Sequence, residues 1–226
     1  LNNIENLGET QNMNNILQVS NTEWFMWLAD DDLLHPQCLE ILFKNFELIK
    51  DNKNVVALYP KYFIAKKYSN HFNKKLYIYP EQLILDHENF IDWYIKNQKK
   101  IIGCYGLMKT KTLKKINGFP ELGKPFSPYS DDLLPLLLSS FGKICLIDQK
   151  LFLLQTHEKS LSVKSIDIDA YTSAQFEYLK IFQQMAVNAK LKINKNSLYI
   201  FCLNKRFLSD NFYVLFRNSK ISLFNK

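Results

Sequence analysis

Apolar residues at helical spacing alternate along this chain with short apolar runs closed by turn residues. Met13, Ile16 and Leu17 recur at intervals of three and four, which predicts a helix over residues 10–20. The aromatic run at 23–28 (EWFMWL) predicts a buried strand ending on Asp30-Asp31-Asp32. Pro36 suits a first helical turn, where its missing N–H costs nothing; Leu39, Leu42, Phe43, Phe46 and Ile49 then predict one apolar helix face. Strands are expected at 55–58 and 62–65, interrupted by Pro60, and at 76–79. Asp86 is placed to cap a helix reaching residue 97, with Phe90, Trp93 and Tyr94 inward.

Residues 101–108 predict a further strand, and Thr110 caps a short helix stopped by Asn117-Gly118. A loop rich in Pro and Gly at 120–130 leads to a helix over 131–141, then to strands at 144–147 and 151–154. A long helix follows over 167–189. Strands alternating with helices argue for an α/β sheet covered by helices. Ligands of such sheets bind beyond the carboxyl ends of the strands, where Asp30-Asp31-Asp32 is expected to fall.

Composition narrows the classes. With 226 residues the chain has room for one domain, with or without a short helical appendage. At 47% hydrophobic and 23% charged, it excludes disorder as the dominant state. The net charge of +7 favours anionic partners such as nucleotide phosphates, acidic membrane surfaces or nucleic acid, although lysines this dispersed suit a solvated surface equally well. Cys38, Cys104, Cys145 and Cys202 form no CxxC pair, which argues against zinc and for reduced thiols in a cytoplasmic protein. No apolar run reaches the ~18 residues of a membrane span, and the polar opening is unlike a signal peptide. The chain opens on Leu1 rather than Met, which suggests a fragment or a processed chain.

The acidic triplet needs a physical reason. Two like charges about 4 Å apart repel by roughly 1 kcal/mol in water and about 4 at a protein surface. A hard divalent cation that also binds phosphate relieves this. Residues two apart in an extended turn project to one side, so Asp30 and Asp32 are candidates to share a metal and diphosphate site. Favourable placement at the positive end of the following helix is the competing reading. Asp131-Asp132 is a second acidic pair, at a helix start that Ser130 or Asp131 is placed to cap.

The order of these motifs resembles family 2 glycosyltransferases of the GT-A fold. The resemblance rests on Asn6-Leu7-Gly8 with Asn12, on residues 27–32 with Pro36, and on residues 102–119. It continues through Ser130-Asp131-Asp132 and Gln155-Thr156-His157-Glu158 with Ser160 and Ser162. It implies an α/β GT-A-like mixed sheet flanked by helices, with a catalytic domain over 1–162 and a helical, aromatic and basic extension over 163–226. The family's first strand and helix would then precede Leu1.

By the same resemblance, Asp132 or else Asp131 is the general base, and Asp30, Asp31, Asn6 and Gly8 bind the nucleotide-sugar donor. Asp32, Asp30 and His157 hold Mg²⁺ or Mn²⁺, although Gln155 stands where the family's arginine is usual. The implied reaction is an inverting transfer to a glycan or lipid-linked acceptor of the kind used in bacterial polysaccharide or lipopolysaccharide synthesis.

In the tail, Phe201, Phe207, Phe212, Tyr213, Phe216 and Phe224 alternate with Lys205, Arg206, Arg217, Lys220 and Lys226. This pattern suits peripheral contact with an anionic membrane or packing on the domain. A catalytically incompetent remnant of the same family is the main alternative. A nucleic-acid-binding module ranks low, because no helix-turn-helix, zinc or RNA-recognition signature is present, so no nucleic-acid partner is expected. A phosphatase or nuclease needs more metal ligands than four dispersed histidines offer.

Overall fold

The computed structural model describes residues 7–49, 54–66, 81–97, 101–123, 127–156, 167–188, 199–200 and 202–214. The chain forms two compact units, one of residues 1–120 and 131–157, the other of 121–130 and 158–226. The predicted strand at 76–79 lies outside the described residues.

The first unit is built on a mixed six-stranded sheet. Its strands are β1 (Trp24–Phe25), β2 (Leu33–Leu34), β3 (Val55–Lys66), β4 (Gln82–Leu85), β5 (Leu107–Lys109) and β6 (Lys143–Thr156). The order is β1-β5-β3-β6-β2, and β4 also pairs with β6. Among the described residues, β3 and β6 pair in parallel and the other strand pairs are antiparallel. Val55 to Tyr59 are all buried, the unbroken apolar run of a strand covered on both faces.

β3 and β6 are each one long strand where two were expected. Pro60 does not break β3, because the register slips beside it: Pro60 faces Ile147 while Lys61 faces Lys150. The extra residues bulge from β6, and a residue without an N–H is tolerated at such a bulge.

The helices of this unit are α1 (Glu9–Val19), α2 (Cys38–Ile49), α3 (His87–Lys96), α4 (Thr110–Lys115) and α5 (Ser130–Ser139). α1 buries Leu17 and anchors the chain after α4. The Asn14 amide donates to Phe119 O at 3.0 Å, and its oxygen accepts from Phe119 N at 2.7 Å.

α2 starts at Cys38, two residues after Pro36, and its inner stripe is Cys38, Ile41, Leu42, Asn45 and Ile49. Leu39 and Phe43 of the expected face point outward, 48% and 51% exposed. The expected face went astray because the true stripe includes a buried amide. Asn45 is satisfied there by the Ile41 carbonyl at 2.7 Å and by the Gln82 side chain.

α3 is capped as expected, Asp86 accepting from Asn89 N at 3.0 Å. Phe90, Ile91, Tyr94 and Ile95 face the core, and Trp93 is half-buried.

The strand expected over 101–108 shrinks to β5. Residues 101–106 turn instead, because a Cβ on Gly103 would collide with the Asp131 carbonyl and one on Gly106 with the Tyr59 ring. Thr110 is no cap: it is buried inside the first turn of α4, and its backbone N–H donates to Glu23 O at 3.0 Å. Asn117 and Gly118, at φ 63° and 82°, end α4 as predicted, with Gly118 N donating to Leu113 O at 2.8 Å. α5 ends at Ser139, before the expected limit at 141.

The second unit contains α6 (Ile168–Asn188) and the helical residues 199–200 and 202–214. Asp167 caps α6, accepting from Asp169 N at 2.9 Å. Tyr178, Phe182, Leu203 and Phe207 form its core. Gln175 bonds Tyr129 at 3.0 Å and Asn211 at 2.7 Å. Among the described residues, no helix is long and apolar enough to cross a membrane.

Candidate functional site

The acidic triplet does not sit directly on a strand end, because β1 stops at Phe25. The buried Trp27 draws the chain out of the ladder, its indole donating to Met13 O at 3.0 Å. Asp30-Asp31-Asp32 follows in a turn closed by Asp32 N on Ala29 O at 3.3 Å. Asp30 is exposed, while Asp31 and Asp32 are half-buried.

Asp32 is gripped from two sides. One carboxylate oxygen accepts Gln155 N at 2.7 Å, and the other accepts the Tyr105 hydroxyl. The Tyr105 ring is itself fixed by stacking on Phe152, centroids 4.9 Å apart and planes 10° from parallel. Burial raises the Asp32 carboxyl above its usual range; the bonds from Tyr105 and Gln155 oppose that, and Asp31 and Asp30 add to it. Gln155 thus holds the triplet through its backbone.

Asp131 and Asp132 lie in the first turn of α5, and each reaches another element. Asp131 accepts Cys104 N at 2.9 Å, and Asp132 accepts the Tyr94 hydroxyl of α3 at 2.6 Å. Burial pushes the Asp131 carboxyl up to about 6; the bonds from Cys104 lower it, while the charges of Asp132 and Glu9 add to the rise. Tyr62 of β3 is raised by burial and then by Asp132 and Asp131.

Two sets of carboxylates, distant in sequence, therefore meet at consecutive residues. The Cys104 backbone holds Asp131, and the Tyr105 side chain holds Asp32. Glu9, opening α1, lies in the field of both sets: loss of hydration and then Asp31 raise its carboxyl, and Glu9 in turn raises Asp131. Sequence reasoning missed Glu9, Tyr94, Cys104 and Tyr105. The expected strand over 101–108 hid the last two, although Gly103 and Gly106 are a local signal against a regular strand there.

Of the other expected site residues, Gly8 stands exposed at φ 81° before α1, its carbonyl accepting Asn12 N at 3.1 Å. Asn6 and His157 lie outside the described residues.

A divalent cation bridging to a diphosphate needs only one or two protein carboxylates. Asp30 is exposed, and each Asp32 oxygen, holding one donor, keeps a second lone pair. Among the described residues, no three His, Cys, Asp or Glu groups converge on a complete cage. The donor set fits a substrate-bridged Mg²⁺ or Mn²⁺, not a protein-only site.

A mixed sheet flanked by helices, with an acidic turn after its first strand, defines a GT-A-like transferase fold. The fold is similar to that of S. aureus TarS 1–349, with a TM-score of 0.56 and 15% identity over 90% of this chain. This chain spans 52%, about half, of that solved chain. The description of glycosyl transferase family 2 matches residues 1–116, and the chain belongs to that family. No curated protein matches it. The family implies a nucleotide-sugar donor and an acceptor, typically with a divalent metal.

Proposed function

We propose that this chain forms the catalytic face of an inverting hexosyltransferase acting on a hydroxyl of a glycan or lipid-linked acceptor. The observation that carries the reading is the anchoring of Asp32 and Asp131 by the adjacent residues Tyr105 and Cys104. Displacement at an anomeric carbon needs one acidic group on the leaving-group side and another on the nucleophile side, and this arrangement supplies both.

Asp132 is the base. It takes the proton of the acceptor hydroxyl, whose oxygen bonds to the anomeric carbon. The bond from that carbon to the phosphate oxygen breaks, and its electron pair leaves with the nucleoside diphosphate. The Tyr94 hydroxyl at 2.6 Å fixes the carboxylate's orientation. Asp131, tied to Cys104 N, positions the loop between the two acidic sets. Asp30, Asp31, Asn6 and Gly8 would bind the nucleotide-sugar donor. A Mg²⁺ or Mn²⁺ held by Asp30, Asp32 and His157 would supply charge neutralisation for the diphosphate.

The test is Asp132→Asn in the whole enzyme. Transfer is expected to vanish while donor affinity stays within about threefold, less than 1 kcal/mol. Retained turnover rejects the base.

A peripheral membrane contact is supported by one face of the helical residues 202–214. Leu208, Phe212 and Tyr213 are exposed beside Lys205, while Leu203, Phe207 and Val214 face the core. Flotation with anionic liposomes, lost on replacing Leu208 and Phe212 by Ser, tests it. Equal flotation of the variant removes the contact.

A further inference from the structure

A cavity of about 250 Å³ opens on the first unit, and none of Asp30, Asp31 and Asp32 lines it. Trp93, Lys61, Glu81, Asp148, Tyr59 and Ile101 line it. We propose that this cavity binds a single sugar ring of the acceptor, one residue removed from the hydroxyl that reacts; the inference rests on the transferase reading of Asp131 and Asp132.

Three observations support it. The first is size: about 250 Å³ falls below the ~300 Å³ at which pockets begin to hold drug-sized ligands, which suits one ring and excludes a nucleotide. The second is chemistry. A pyranose offers an apolar C–H face and a rim of hydroxyls that donate and accept. Trp93 supplies an aromatic wall, steadied by Phe90 at 6.0 Å with planes 21° apart. Lys61 and Asp148, ion-paired on the rim and 40% and 54% exposed, supply a donor and an acceptor. Glu81 adds a second carboxylate, and its carbonyl accepts Asp148 N at 3.0 Å, tying the two rim segments together.

The third observation is position. Trp93 precedes Tyr94, whose hydroxyl holds Asp132. The Tyr59 hydroxyl donates to Gly103 O at 3.1 Å, and Gly103 packs against the Asp131 carbonyl. Two walls of the cavity are therefore continuous with the base side of the site. The rim's mixture of one ammonium and two carboxylates recognises a neutral ring, not an anionic phosphate.

The test measures binding of methyl glycosides of glucose, galactose, mannose and N-acetylglucosamine by saturation-transfer NMR. At least one is expected to bind the wild-type protein. Trp93→Ala should weaken that glycoside at least about tenfold, and Trp93→Phe should keep affinity within about threefold. Asp148→Asn should weaken it too, which preserves the test if Trp93→Ala fails to fold. Binding of none of the four, or affinity unchanged in both Trp93→Ala and Asp148→Asn, overturns the proposal. Diphosphate release from nucleotide sugars is measured separately. Release without glycoside binding sinks the cavity alone; glycoside binding without release sinks the transferase reading and leaves the cavity as a sugar site.

Discussion

Asp131→Asn is expected to make the protein more stable at neutral pH, although it alters a residue at the candidate site. The carboxyl rises from its ordinary value of 3.8 to about 6, with burial as the largest cause. Between those two values the folded protein binds more proton than the unfolded chain, so stability falls as pH rises through this window and is level above it. The rise corresponds to about 3 kcal/mol at full weight; the side chain's partial solvent access reduces the expected cost at pH 7 to ~1–2 kcal/mol. Asparagine keeps an oxygen for Cys104 N, so the 2.9 Å bond survives while the desolvated charge disappears. Urea unfolding of both proteins from pH 4 to 8 is the assay. The variant's advantage over wild type should grow from pH 4 to about 6, as the wild type loses stability, and stay constant above. An Asp131→Asn protein less stable than wild type by the same amount at every pH would refute the reasoning, because the buried charge would then carry no pH-dependent cost.

Three further outcomes follow from the same geometry. Tyr105→Phe keeps the ring on Phe152 but removes the donor to Asp32; a hydrogen bond to a charged group contributes ~1.5–3 kcal/mol, so nucleotide binding with Mn²⁺ should weaken at least about tenfold by calorimetry. Unchanged affinity would detach Asp32 from the donor side. Gly103→Ala forces a Cβ onto the Asp131 carbonyl and should cost ~1–3 kcal/mol of stability, read as a lower urea midpoint; a neutral result would show that the loop can yield. Asp86→Ala removes the cap from α3 and should cost ~1 kcal/mol, read as a lower urea midpoint.

Features encoded within a few residues were legible in the chain. Asp86 capping α3, Asn117-Gly118 ending α4 and the span of the long α6 each depend on local φ preference, short-range bonding or helical period. The ordered acidic motifs gave the family in the same way, since their spacing is a property of the chain and needs no coordinates.

What the sequence left undecided depends on partners far along the chain. Whether Pro60 breaks β3 depended on where β6 could bulge, and which side of α2 turns inward depended on Gln82 meeting Asn45. The turn at 101–106 follows from α5 and Tyr59 crowding its glycines, and only that turn brings Cys104 to Asp131 and Tyr105 to Asp32. A residue's own preferences fix its local conformation, but the hydrogen bond that orients a carboxylate requires a donor about 3 Å away, and that proximity is set by how distant segments pack.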